Sequence, residues 1–182
     1  MTLPRRAFLG AATAAFGLGS LAASNGLAMP TSGVRKLGFD NLHTGETLEV
    51  AYWENGTYVP GALAEVNHVL RDFRTGDVHP IEPGLLDLLV LLQGRVEKAE
   101  RFQVISGYRS PLTNAVLHER SHQVASGSLH MQGKAIDIRL PGVELTHLRD
   151  AALSLAVGGV GYYPTSDFVH VDVGRVRRWA GS

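Results

Sequence analysis

The chain has 182 residues, no cysteine, and 17 lysines and arginines balanced against 17 aspartates and glutamates. The lack of cysteine excludes disulfides, thiolate metal sites and a cysteine nucleophile. The level charge offers no basic surface of the kind that nucleic acid demands, so no nucleic-acid partner is expected.

Residues 1–30 differ in composition from the rest of the chain. Met1 to Arg6 is short and basic, and Ala7 to Ala23 is apolar and uncharged. Small residues then offer cleavage points near Ala23 and Ala28. This layout reads as a secretory signal. The pair Arg5-Arg6 ahead of a weakly apolar stretch points to the Tat route, with an ordinary Sec signal as the competing reading. The apolar stretch is shorter than the ~20 residues that span a bilayer, and no later segment is longer, so no membrane span is expected in the mature protein. The expected location is periplasmic or otherwise exported. Removing the leader leaves about 150 residues, the size of one domain that buries roughly two-thirds of its unfolded surface.

In chain order, Leu37 to Val59 reads as strands, because Leu48, Val50 and Tyr52 alternate with Glu49, Ala51 and Trp53, and Asn55-Gly56 makes a hairpin turn. Leu63, Val66, Leu70 and Phe73 recur at helical spacing, which predicts a helix from Ala62 to Arg74. Pro83 suits a first helical turn, so Leu85 to Lys98 reads as a second, mostly apolar and buried helix. A strand follows at Phe102 to Ser106, then a helix from Pro111 to about Gln123. Lys134 to Leu140 is a strand ended by Pro141-Gly142, and Leu145 to Val157 is a helix closed by Gly158-Gly159. Val160 to Tyr163 and Phe168 to Val173 are the final strands. Helices and short strands without a βαβ rhythm predict one α+β domain, with a central antiparallel sheet flanked by helices.

Two of these strands carry the chemical signal. In Ile136-Asp137-Ile138 the isoleucines face one way and Asp137 the other. In Val169-His170-Val171-Asp172-Val173 the valines face one way, His170 and Asp172 the other. If the strands are neighbours, Asp137 and His170 meet above the sheet. His130 lies just before the first strand, in a loop that Gly133 lets fold back. Two imidazoles and a carboxylate leave a zinc ion near +1 with one position open, the layout of a catalytic rather than a structural site. Zinc there lowers the pKa of water to around 7. The competing reading makes His130 a loop residue, Asp137 a salt-bridge partner and His170 a packed edge residue, and spacing alone does not separate the two.

The ordered motifs Ser106-Gly107-Tyr108-Arg109-Ser110, Asn114, Ser128-x-His130-x-x-Gly133-x-Ala135-x-Asp137 and Asp167-x-x-His170 resemble the M15 peptidases. These are zinc D,D-peptidases that share a fold with the hedgehog N-terminal domain. The resemblance is closest to the murein endopeptidase branch once called DUF882, and it covers residues 38–182. It implies His130, Asp137 and His170 as Zn2+ ligands, Asp167 as general base, and Arg109 over the scissile carbonyl, a role that suits a permanently charged, multi-donor guanidinium. In a regular strand Asp167 points away from His170, so a bend near Ser166-Asp167 is required. Ser128 reads as a loop-orienting or substrate-contacting residue, and Asp172 either fixes a histidine tautomer or is exposed. His43, His68, His79, His118, His122 and His147 have no motif support.

The implied activity is hydrolysis of peptide cross-links in bacterial peptidoglycan, including those joining diaminopimelate residues. A D,D-carboxypeptidase acting on stem peptides, or a non-catalytic cell-wall-binding module stabilised by zinc, are the alternatives. Nothing in the sequence sets the oligomeric state.

Overall fold

The computed structural model describes residue 29 and residues 32–121 and 124–181. The expected leader, apart from residue 29, and His122 and Gln123 lie outside the described residues.

The elements run β1 (Val34–Asn41), β2 (Thr47–Glu54), β3 (Thr57–Tyr58), α1 (Pro60–Val69), α2 (Pro83–Val96), β4 (Phe102–Ser106), α3 (Pro111–Arg120), a short 3-10 helix (Leu129–Gln132), β5 (Ala135–Arg139), α4 (Leu145–Leu155), β6 (Gly159–Tyr163), β7 (Phe168–Asp172) and β8 (Arg177–Ala180). The strands form one sheet in the order β3-β2-β1-β4-β5-β7-β6-β8. The α+β class and the central sheet match the expectation. The sheet itself is mixed: β1 with β4 and β6 with β8 are parallel, and the other pairings are antiparallel.

One face of the sheet is the core. Phe39, Phe102, Val104, Ile136, Ile138 and Val169 are buried there with Leu85, Leu89, Leu92 and Leu148 from the helices. Helix α2 packs on β1, and α4 packs on α2, β6 and β7. Each large aliphatic buried in this way contributes roughly 1.5–3 kcal/mol. The opposite face at β5 and β7 is free of these helices, and the polar residues of those strands gather on it.

Four helix ends differ from the sequence reading, including that of α3, which closes at Arg120 rather than about Gln123. Helix α1 ends at Val69 rather than Arg74. Beyond it the Asp72 side chain accepts from Arg74 N at 3.0 Å, and Asp72 N donates to Asp77 O at 3.0 Å, closing a turn in place of further helix. Helices α2 and α4 stop at left-handed residues, Glu97 and Ala156, a little short of the expected ends. Strand β8 is absent from the sequence reading, because Arg175 to Arg178 carries three arginines and no apolar alternation.

Candidate metal centre

Strands β5 and β7 are antiparallel neighbours, with Asp137 directly opposite His170. Opposed residues in such a pair hold their Cβ atoms about 4.5–5.5 Å apart, close enough for side chains to share a ligand. His130 arrives from the 3-10 helix. Ser128 caps that helix, its Oγ accepting from His130 N at 3.3 Å. Gly133 ends it in the left-handed region at φ +64°, where a Cβ would stand 2.1 Å from Pro80 O. Only glycine lets the chain turn into β5 against that wall.

The three side chains are 3%, 8% and 10% exposed for His130, Asp137 and His170, so little solvent satisfies their polar atoms. His130 Nδ1 lies 2.7 Å from Gly107 O, and His170 Nε2 lies 3.1 Å from Asp172 Oδ2. Both partners can only accept, so each ring donates outward and a neutral ring turns its bare nitrogen inward. His130 Nε2 then lies 3.1 Å from His170 Nδ1 and 3.2 Å from Asp137 Oδ1, which is itself 2.8 Å from His170 Nδ1. With both rings neutral, three acceptors converge and no donor stands among them.

The electrostatics agree. Burial pushes His130 below its ordinary pKa against the pull of Asp137. Burial opposes the charged form of His170 too, but its bonds to Asp137 and Asp172 prevail and hold its pKa above the usual value. Burial would raise Asp137, yet the two imidazoles outweigh it and keep that carboxylate far below the ordinary range. The cluster demands positive charge. A proton on His170 Nδ1 answers only its contact with Asp137, whereas a divalent cation answers all three. Nitrogen and oxygen ligands of a tetrahedral zinc, each ~2.0–2.1 Å from the metal, stand about 3.3–3.4 Å apart, so the observed spacings need to open by only tenths of an ångström. Among the described residues these three form the group of histidines and carboxylates able to hold a metal ion.

Asp172 is fully buried. Its Oδ1 accepts from Gly159 N at 2.9 Å, Gly174 N at 2.8 Å and Arg177 Nη1 at 3.0 Å, while Arg177 Nη2 lies 2.6 Å from Oδ2. Burial opposes ionisation, but His170, Arg177 and these amides together hold the carboxylate well below its ordinary range. Of the two sequence readings of Asp172, its burial excludes exposure, and its contact with His170 Nε2 fits the reading in which it fixes a histidine tautomer.

Arg109 belongs to the same cluster. A bulge in β4 between Val104 and Ser106 sets Ser106 opposite Asp137, on the ligand face. Arg109 Nη2 lies 3.5 Å from Ser106 Oγ and 3.7 Å from Asp137 Oδ2, and Nη1 lies 3.4 Å from Asn114 Oδ1. Its Nε is buried without a partner. Burial lowers its pKa against the pull of Asp137, and it remains a cation with long, weak contacts and donors to spare. Asn114 also donates to Ala125 O and Ser126 O at 3.2 and 3.3 Å, tying the loop ahead of the 3-10 helix to α3.

Asp167 is not brought to the cluster. It has the expected bend, at φ +54° immediately before β7, but its carboxylate pairs with Arg139, and its side chain is 59% exposed. Arg139 lies two residues beyond Asp137 on β5, so the bend has turned Asp167 toward the ligand face but further along it.

The ligands open onto a cleft of about 470 Å3 whose walls include Arg109, Tyr163, Phe168, Arg177 and Trp179. Trp179 comes from β8. Its indole lies 5.1 Å from the His170 ring and donates to Tyr163 Oη at 2.8 Å. Gly161 makes room for it, since a Cβ there would meet the indole at 2.7 Å. The sequence reading gave no role to Tyr163, Arg177 or Trp179. The one signal was the extent of the resemblance, which covers residues 38–182 and so takes in all three.

A family model described as peptidoglycan L,D-endopeptidase MepK matches residues 29–179. The chain is 42% identical over 175 residues to the protein of that name from Escherichia coli strain K12, a match covering 96% of each chain. It is 43% identical over 148 residues to a probable peptidoglycan L,D-endopeptidase MepK of Haemophilus influenzae, covering 81% of this chain and 80% of that one. No solved structure matches the chain.

Proposed function

The chain belongs to the M15 peptidase family described as peptidoglycan L,D-endopeptidase MepK, and from that premise we propose that it is a zinc metallopeptidase hydrolysing peptide cross-links of bacterial peptidoglycan. The observation that carries the zinc reading is the convergence of His130 Nε2, His170 Nδ1 and Asp137 Oδ1 within 3.2 Å of one another, all acceptors and all buried. The relatives' names carry the substrate. A zinc ion held by these residues supplies a Lewis acid and a water that loses its proton near neutral pH.

The chain's own groups do the rest. Arg109 presents guanidinium donors beside Asp137 and binds the scissile carbonyl oxygen, stabilising the charge that builds there as the carbonyl carbon becomes tetrahedral. Asp167 takes the proton of the attacking water and returns it to the leaving amine, so that one water and one peptide bond give a carboxylate and an amine. That role requires Asp167 to leave Arg139 and swing along the ligand face when substrate is bound. Tyr163, Phe168 and Trp179 supply an apolar wall, and Ser128 holds the His130 loop. The leader over residues 1–30, with Arg5-Arg6, directs the protein to the periplasm through the Tat route. Replacing both arginines with lysine is expected to leave the protein in the cytoplasm, and unchanged export would contradict that route.

Digestion of peptidoglycan of defined cross-link content by the zinc-loaded mature chain tests the activity. Mass spectrometry should find cross-linked dimers lost and monomers gained, with neither change in the His170→Ala variant or after chelation. Release of terminal D-alanine instead would make the protein a carboxypeptidase, and no product change would remove the peptidase reading.

A further inference from the structure

The centre rests on a buried carboxylate that is itself over-supplied with donors. Asp172 has its side chain fully out of solvent, and two backbone amides, one guanidinium and one imidazole converge on its two oxygens. The amides come from Gly159 and Gly174, and a side chain at either would crowd the site, most directly at Gly159. A Cβ at Gly159 would stand 2.4 Å from Asp172 Oδ2, and one at Gly174 would stand 2.7 Å from Leu129 Cδ1. The guanidinium comes from the first residue of β8, a strand whose parallel pairing with β6 sets Arg177 beside Gly159.

Arg177 reaches both oxygens of Asp172, at 3.0 Å to Oδ1 and 2.6 Å to Oδ2, the two-pronged geometry that fixes a carboxylate plane as well as its charge. Its guanidinium is held further by a bond from Nη1 to Arg175 O at 3.1 Å, and it lies 4.9 Å from the centre of the Trp179 ring. The fixed carboxylate in turn holds His170 Nε2 and leaves Nδ1 facing Asp137 and His130.

We propose that Arg177 is a positioning residue for the metal, acting through Asp172 to lock the tautomer and ring orientation with which His170 holds the ion. This rests on the zinc reading above. A carboxylate that orients a ligating imidazole makes that imidazole a better and better-aimed ligand, and losing such a partner costs about 10–100-fold in metal affinity. Arg177 lies one step further out, so its effect passes through Asp172 and vanishes where Asp172 can no longer act.

Zinc affinity of the mature chain, read by competition with a chelator of known affinity, tests this in the wild type and in Arg177→Met, Asp172→Asn and the double variant. Methionine keeps much of the apolar stem and removes every donor. Arg177→Met and Asp172→Asn are each expected to weaken zinc by about 10–100-fold, and the double variant no more than Asp172→Asn alone, because coupled residues are not additive. Wild-type affinity in Arg177→Met would overturn the proposal, as would a double variant losing the product of both effects. If Arg177→Met fails to fold by circular dichroism, Arg177→Lys replaces it. Lysine keeps the charge but cannot grip both oxygens, so weaker zinc binding is expected and unchanged affinity is the overturning result. A wild-type chain that binds no zinc would overturn the metal reading and this inference together, and that arm is read before any variant.

Discussion

At the scale of single residues, the site separates charge that must be recruited from charge that is already matched. His130, Asp137 and His170 turn three acceptors on one point, so removing any of them should abolish tight zinc binding. Calorimetric titration of His130→Ala and Asp137→Ala tests this, and a retained one-to-one isotherm in either would contradict it. Arg109 is different in kind, because it lines the cleft as a cation whose terminal nitrogens make only long contacts, and it does not ligate. Arg109→Ala should bind zinc like the wild type while losing about 10²–10³-fold in kcat, the loss typical of removing an oxyanion donor. A loss in zinc affinity instead would make Arg109 a structural partner of Asp137. Asp72 carries a pH signature away from the ligands. Burial would raise its pKa, but Thr113, Ser110 and Arg74 donate to it and the result lies below the ordinary 3.8. A carboxylate with a depressed folded pKa stabilises the fold above its unfolded pKa and loses that contribution as pH falls through the folded value. Wild-type stability should therefore drop on acidification below about pH 4 more steeply than that of Asp72→Asn, as measured by urea unfolding. Parallel slopes would remove Asp72 from the account.

At the scale of elements, the legible part of the sequence was the part with a period. Ile136, Ile138, Val169 and Val171 alternate with Asp137, His170 and Asp172, and strands of that pattern sort into a core face and a ligand face wherever they pair. What stayed hidden was whatever breaks a period. The bulge after Val104 turns Ser106 toward Asp137, and β8 pairs through its backbone while its arginines hide it from a hydrophobic reading; the bend at Asp167 was expected, but its pairing with Arg139 was not. The α1 end was missed because Asp72 offers the backbone a competing bond within a helical-looking pattern. The cap of α3 shows the opposite case. Ser110 Oγ accepts from Thr113 N at 3.2 Å, and Pro111 opens the helix. Ser110→Ala should cost about 0.5–2 kcal/mol of stability. It should also loosen Asn114, and through it the loop that leads to His130. Thermal unfolding checks the first effect, and an unchanged midpoint would mean that the cap contributes nothing.

At the scale of the whole molecule, the sheet joins two halves that meet at the centre. The Arg109 loop follows β4, Asp137 stands on β5, and His170 and Asp172 stand on β7 with β6 and β8 behind them. A metal that binds only the assembled fold should stabilise it as a unit, adding about 2.7 kcal/mol at a zinc concentration 100 times its dissociation constant. No helix among the described residues is long and apolar enough to cross a membrane. X-ray absorption at the zinc edge of the purified mature chain reads whether His130, Asp137 and His170 hold one zinc ion. One zinc per chain is expected, with two imidazoles among nitrogen and oxygen neighbours at about 2.0–2.1 Å, and loss of that zinc in His170→Ala. A wild-type chain that retains no zinc, or a His170→Ala variant with the same metal content and the same spectrum, would contradict it.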